Sequence, residues 1–335
     1  MNMTSIGDMA HSLMLRTRSS ALKASMIALT EELSAGQTID AATRLGGDYS
    51  YLSDIDHNLS RLSGYAMAAR EASLFTSAAQ LGLGRMQEVA TTLGADLLTI
   101  NPTYIETARL HTGQQARSGL DTILAALNGS AGGRSLFAGT ATDASPMAST
   151  DTLITALKAE VSGMTLTSQI LTAVDNWFAD PAGFKATMYS GSDQPLTPIQ
   201  IGANEQVTLS LQADDPQFGS ILRNAAIAVL ATDPGLGLDV DAQNVMLRVA
   251  GEGLLNNDHG LTGLRADMGY AEARIEEASS RTAAARNSLE YARNELLAAD
   301  PFETASRLEE VQFQLESLYA VTVRTSRLTL LSFLK

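Results

Sequence analysis

The sequence predicts a mainly α protein with an α+β insert: a discontinuous long-helix bundle formed by the N- and C-terminal segments, with an outer domain inserted in the middle. Three observations predict it. Apolar residues at both ends alternate at spacings of three and four, the period that keeps a seam on one helical face. Aromatic residues are only 5% of the chain, with one tryptophan, while Ala, Ser, Thr and Leu dominate outside the middle, a composition suited to long helices packed through small side chains. The stretch from about 141 to 250 differs: it holds most of the prolines, the tryptophan and short alternating apolar runs.

In the first element, Leu15, Ser19, Leu22, Met26, Leu29 and Leu33 keep the three-four alternation, and Ser34-Ala35-Gly36 closes the helix, since Gly takes the left-handed conformation at low cost. A second seam runs through Leu52, Ile55, Leu59, Leu62, Ala66, Ala69 and Ser73. Its phase is expected to slip near Gly82 and Gly84 and to resume through Met86, Val89 and Leu93, giving one long, imperfect helix. Asn101-Pro102 reads as a cap followed by an N1 proline. Ile105, Ala108, Leu120, Leu124 and Leu127 then mark a helix to about Asn128, ended by Gly129, Gly132 and Gly133.

In the middle, Ile199 and Ile201, and Val207, Leu209 and Leu211, alternate as strands do, with Gly202-Ala203-Asn204-Glu205-Gln206 as the hairpin loop between them. Asp215-Pro216 and Asp233-Pro234 bracket an apolar helix through Ile221, Leu222, Ala225 and Val229. Near the C-terminus, Ile275, Ala278, Thr282, Ala285, Leu289, Ala292, Leu296 and Ala299 hold a heptad seam of mainly small residues. Asp300-Pro301-Phe302-Glu303 reads as a capping box that starts a fresh helix, whose seam is Ala305, Leu308, Val311, Leu315 and Leu318. Leu328, Leu330, Leu331, Phe333 and Leu334 place a dense apolar cluster in the last residues, which calls for a partner.

Composition excludes several functions. At 335 residues the chain holds two or three domains, and a formal net charge of −14 disfavours nucleic acid and anionic membrane as partners. With no cysteine, disulfide frameworks, zinc fingers, iron–sulfur clusters and thiol nucleophiles are ruled out. No apolar run is long enough to span a bilayer, and Met1 to Asp8 lacks the basic start and apolar block of a cleavable signal. His11, His57, His111 and His259 have no partner at metal-ligand spacing, and Asp54, Asp56 and His57 splay over different helical directions, so no metal or cofactor is expected. Gly82-Leu83-Gly84 lacks the third glycine of a dinucleotide fingerprint. Gly129 to Ser135 lacks the Lys-Ser/Thr ending of a phosphate loop and reads as a flexible joint. The pairs Glu31-Glu32, Glu276-Glu277 and Glu309-Glu310 read as solvated faces rather than acid–base dyads, and no constellation supports an enzyme.

Read together, the ends resemble the bacterial flagellin family, in which N- and C-terminal helices pair and polymerise while a variable middle faces outward. Glu32-Leu33-Ser34-Ala35-Gly36-Gln37 is similar to the family's turn after the first helix, and Asp300 to Leu318 resembles its terminal helix. Within the family, Leu136-Phe137-Ala138-Gly139-Thr140, with Thr142-Asp143 and Pro146, resembles members that join hook to filament. So do Tyr189-Ser190-Gly191-Ser192, Ala213-Asp214-Asp215-Pro216 and the ending Arg327 to Leu334. The family's Asp-Asp-Pro-Ala-Gly stretch is replaced here by Thr43-Arg44-Leu45-Gly46-Gly47-Asp48-Tyr49.

The resemblance implies a structural part of the bacterial flagellum, a hook-filament junction, exported by the flagellar type III system without a cleaved signal to an extracellular place. It implies a terminal assembly domain (residues 1–45 and 300–335), a helical bundle domain (46–140 and 251–299) and an α+β outer domain (141–250). Leu22, Met26, Leu29, Leu33, Leu308, Val311, Leu315, Leu318 and Tyr319 form the expected assembly interface. The implied partners are hook-associated protein 1, flagellin, copies of the chain itself in a ring, and a cytoplasmic flagellar export chaperone touching Leu315, Leu318 and Tyr319. A filament-forming flagellin is the alternative, and a soluble signalling coiled coil a remoter one.

Overall fold

A computed structural model describes the backbone over residues 4–99 and 106–333 and the side chains over 9–99 and 110–324. Asn101-Pro102, Ile105 and Leu334 lie outside the described residues, as do the side chains of Ala108, Leu328, Leu330, Leu331 and Phe333. The chain is mainly α with a small strand-containing middle, and it divides into two compact units, residues 1–62 with 284–335, and residues 63–283.

The first unit contains α1 (Thr4–Ala35), the short α2 (Ala41–Arg44), the start of α3 (Ser50–Thr99), the end of α10 (Asp258–Leu297) and α11 (Pro301–Phe333). Gly36 closes α1 at φ +67°, a left-handed conformation that Gly adopts without a Cβ penalty. Its carbonyl accepts from Ala299 N at 3.0 Å, and Thr38 N donates to Leu297 O at 2.8 Å, so the end of α1 is stitched to the residues preceding α11. Asp40 caps α2 by accepting from Thr43 N at 3.1 Å. The Thr43 hydroxyl and backbone N–H hold the Asp40 carboxyl below its ordinary pKa. Asp56 accepts from Arg293 Nε at 2.8 Å, tying α3 to α10.

Asp300 caps α11 as expected, accepting from Phe302 N at 2.9 Å and Glu303 N at 3.2 Å. The reciprocal half of the capping box does not form, because the Glu303 carboxylate faces Arg307 Nη2 at 2.6 Å, one turn on. A charge-assisted contact wins over a bond to a neutral backbone N–H.

The second unit is built around α8 (Pro216–Ala231), whose residues from Ile221 to Ala231, apart from Arg223, are all buried. A helix apolar on every side must be surrounded, and α8 packs on α4 (Glu106–Leu127), α5 (Thr150–Glu160), α6 (Thr167–Ala179) and α9 (Val240–Asn256). Asp215 starts it by accepting from Gln217 N at 2.9 Å, with Pro216 at N1. Phe218 meets Phe137 edge to face, ring centroids 5.6 Å apart.

The rest of α3 and the start of α10 run antiparallel in this unit: Gln80 Nε2 donates to Arg265 O at 2.8 Å, and Gln87 Nε2 to Asp258 Oδ1 at 2.6 Å. A five-residue π-turn (Pro181–Lys185) leads into α7 (Ala186–Met188), and a short 3₁₀ turn (Pro234–Leu236) precedes α9.

The strands form two antiparallel ribbons. The first, β1 (Ser130–Ala131) with β2 (Arg134–Ser135), occupies the segment expected to be a flexible joint. Gly132 and Gly133 take φ +59° and +79°, the paired positive values that a two-residue hairpin turn demands, so the glycines tighten this segment rather than loosen it. The second, β3 (Ile199–Gly202) with β4 (Glu205–Val207), lies at the expected alternating run with a tighter turn, Ala203-Asn204. Leu209 and Leu211 stay buried without strand pairing. Helices α5, α6 and α9 carry no seam long enough to stand out in sequence, and they make the middle more helical than its prolines suggest.

The α3 seam also differs in detail. Ile55 and Ala69 are buried on it, but Ser73 is exposed, and the buried line continues through Ala72, Thr76, Ala79, Leu83, Met86, Ala90 and Leu93. The slip is therefore a step of three at Ala69 to Ala72, which shifts the seam around the helix. Gly82 and Gly84 do not cause it: both lie in unbroken helix, and Gly82 leaves space beside the Phe137 ring.

Candidate assembly surface

The nine residues predicted to form an interface lie on α1 and α11, which pack along their lengths. The pairing is antiparallel: Gly36 meets Ala299 at one end, and further along Lys23 meets Tyr319. Leu22, Met26 and Leu29 on α1, and Leu308, Val311, Leu315 and Leu318 on α11, are half-buried, together with Leu15, Ser19 and Ala305 on the same seams. Two heptad lines thus face each other as an antiparallel two-helix seam. Leu33 is 40% exposed and Tyr319 is 42% exposed, so these two lie at the margin.

The margin is polar and ordered. Lys23 Nζ stands 5.8 Å from the Tyr319 ring centroid, a cation–π distance. Hydrogen bonding by Lys23, and secondarily Ser19, holds the Tyr319 hydroxyl below its ordinary pKa. On the outer face the sequence signals were missed. Met9, Leu13, Met14 and Ile27 on α1, and Phe313, Val321 and Val323 on α11, are exposed off the seam. Leu13 and Ile27 are two heptads apart, which is the signal that could have found them.

Two helices alone leave each seam residue with water on one side. A half-buried Leu still offers apolar area worth roughly 25 cal/mol per Å² if a further surface covers it. The two helices therefore leave part of their apolar seam open to solvent.

His11, His57, His111 and His259 are exposed, and among the described residues no three His, Cys, Asp or Glu side chains gather as metal ligands. No described helix is long and apolar enough to cross a membrane. An open depression of about 560 Å³ beside α6 is lined by Glu160, Met164, Ser168, Gln169, Thr172 and Asn176, one carboxylate with no base facing it.

Residues 256–334 match the family model of the bacterial flagellin C-terminal helical region. No curated protein matches the chain. Among solved structures, a "putative flagellar hook-associated protein from Vibrio parahaemolyticus" is similar to it at 11% identity with a TM-score of 0.42, over 81% of this chain and 95% of that one.

Proposed function

We propose that the chain is a structural subunit of the bacterial flagellum, a member of the flagellin family that joins hook to filament in the manner of hook-associated protein 3. The observation that carries the flagellar reading is the match over residues 256–334, which spans α10 and α11, the latter being half of the antiparallel terminal pair. The junction role rests on the resemblance of Leu136 to Thr140 and of the leucine-rich ending Arg327 to Leu334.

In this reading the three-part division of the chain at about residues 45, 140, 250 and 300 separates assembly, bundle and outer domains. The exposed and half-buried apolar residues of α1 and α11 are covered by hook-associated protein 1, by flagellin and by copies of the chain in a ring. The same surface is an aggregation hazard before export, and an export chaperone over Leu315, Leu318 and Tyr319 would mask it. The subunit transmits torque by packing and performs no catalysis.

A filament-forming flagellin is the second reading, equally compatible with the family match. Electron microscopy of flagella from a strain lacking this chain separates them. Bare hooks with flagellin shed into the medium are expected; normal filaments would overturn the junction role.

A further inference from the structure

Away from their shared seam, α1 and α11 each carry an outward line of residues at heptad spacing. On α1 the line is Leu13, Ser20 and Ile27; on α11 it is Ser306, Phe313 and Ala320. All six are exposed, Leu13 by 67%, Ile27 by 63% and Phe313 by 70%. The two lines are complementary in size. Set antiparallel with Phe313 opposite Ser20, they place Ile27 opposite Ser306 and Leu13 opposite Ala320, so at each level a large apolar side chain meets a small residue.

The charges beside the lines match in the same register. Arg16 and Lys23 lie four residues before and three after Ser20, and Glu309 and Glu316 lie four before and three after Phe313. Equal spacing puts each pair on the same flank of its line, and like flanks meet when two helices run antiparallel. Lys23 then faces Glu309, and Arg16 faces Glu316. Among the described residues Arg16, Glu309 and Glu316 have no ion-pair partner, and Lys23 touches Tyr319 rather than a carboxylate. Within one chain these charges do not meet, because the seam sets Lys23 beside Tyr319, ten residues past Glu309. On the other flank Thr17 and Ala24 of α1 stand against Ser317 and Glu310 of α11, and the Glu310 carboxylate accepts from Gln314 Nε2 at 3.1 Å. The remaining charges lie outside the match: His11 and Arg18 are on the seam side of α1, Arg307 is held by Glu303, and Glu31, Glu32 and Arg324 lie beyond its ends.

Resting on the reading that the chain assembles with copies of itself, we infer that the Phe313 line of α11 in one copy packs antiparallel on the Leu13–Ile27 line of α1 in the next. The two surfaces differ, so the contact is heterologous. Because α1 and α11 already run antiparallel within each copy, the contact makes neighbouring copies point the same way. A second copy thus covers the outer faces of the terminal pair.

The test uses the full chain at low ionic strength, where exposed ion pairs are least screened. The chain has no cysteine, so Thr17→Cys and Ser317→Cys, which this register brings together, report the contact without background. The two variants are mixed, concentrated until assemblies sediment, and oxidised; a cross-linked dimer that requires both is expected. Assembly without that cross-link, or a cross-link from either variant alone, would overturn the contact while leaving self-assembly standing; failure to sediment any assembly would remove self-assembly, and the contact with it. A charge swap reads the same contact without cysteine. Glu309→Lys with Glu316→Lys should keep helicity and melting temperature, because both side chains are exposed, and should raise the critical concentration on the order of tenfold. Adding Arg16→Glu and Lys23→Glu to the same chain should bring it back near the starting value. A critical concentration that the first pair leaves unchanged, or that the second pair raises further, would overturn the inference.

Discussion

Lys23 on α1 sits 5.8 Å from the ring centroid of Tyr319 on α11, bridging helices nearly three hundred positions apart in the chain. The contact is at the exposed margin of the seam, so its strength is the small one of a solvent-screened surface cation–π pair. A double-mutant cycle of Lys23→Met and Tyr319→Leu, followed by thermal unfolding, should return a coupling of that size. A coupling indistinguishable from zero would mean that the two side chains are neighbours without interacting.

The α1–α11 seam is half-buried from Leu15 to Leu29 and from Ala305 to Leu318, whereas the α8 core is closed. Limited proteolysis of monodisperse monomer should therefore cut first within residues 1–45 and 300–335 and leave a resistant fragment containing α4 to α9. Substitution Leu315→Asp should speed those terminal cuts severalfold and leave the inner fragment's lifetime unchanged. Simultaneous loss of both parts would show that the chain opens as one cooperative unit.

Phe137 and Phe218 are fully buried and meet edge to face. Phe218→Ala removes a large core side chain at the start of α8 and should cost about 3–5 kcal/mol, read as a lower melting temperature with early digestion of the inner fragment. Phe218→Leu should recover most of the loss.

Lys185 Nζ lies 2.7 Å from Asp193 Oδ1 and 2.8 Å from Asp214 Oδ2. Hydrogen bonds to Asp193, then Asp214, raise its pKa well above the ordinary lysine value. A cationic group with a raised folded-state pKa contributes fully below its unfolded value and loses that contribution as pH climbs towards the folded one. Lys185→Met should thus lower the melting temperature by a few degrees, about 0.5–1 kcal/mol given the exposure of the side chain. The gap should stay constant at neutral pH and shrink only above about pH 10.4. A gap that closes below pH 9 would exclude the lysine as its source.

The terminal helices were legible because their signal is local. A three-four seam such as Leu22, Met26, Leu29 or Leu308, Val311, Leu315 depends only on the period of the α-helix, and Asp300-Pro301 or Asp215-Pro216 depends only on cap chemistry. The middle was harder to read. Helices α5, α6 and α9 are short and lean on α8, so their stability comes from what surrounds them rather than from a long repeat of their own. Gly132-Gly133 carried a hairpin signal, but the flanking strands are two residues each and offer no alternation to confirm it.

Periodicity and capping are properties of neighbouring residues, so the helical class, the close of α1 at Gly36, the starts of α8 and α11, and the residues of α1 and α11 that share a face are all written in the chain itself. Folding alone settles that α1 and α11 pair antiparallel with Lys23 against Tyr319, that the α3 seam steps at Ala69 to Ala72, and that Met67, Leu74 and Leu81 stand uncovered. Those facts depend on which surfaces meet, and a surface left open in the folded chain looks no different in sequence from one that is filled.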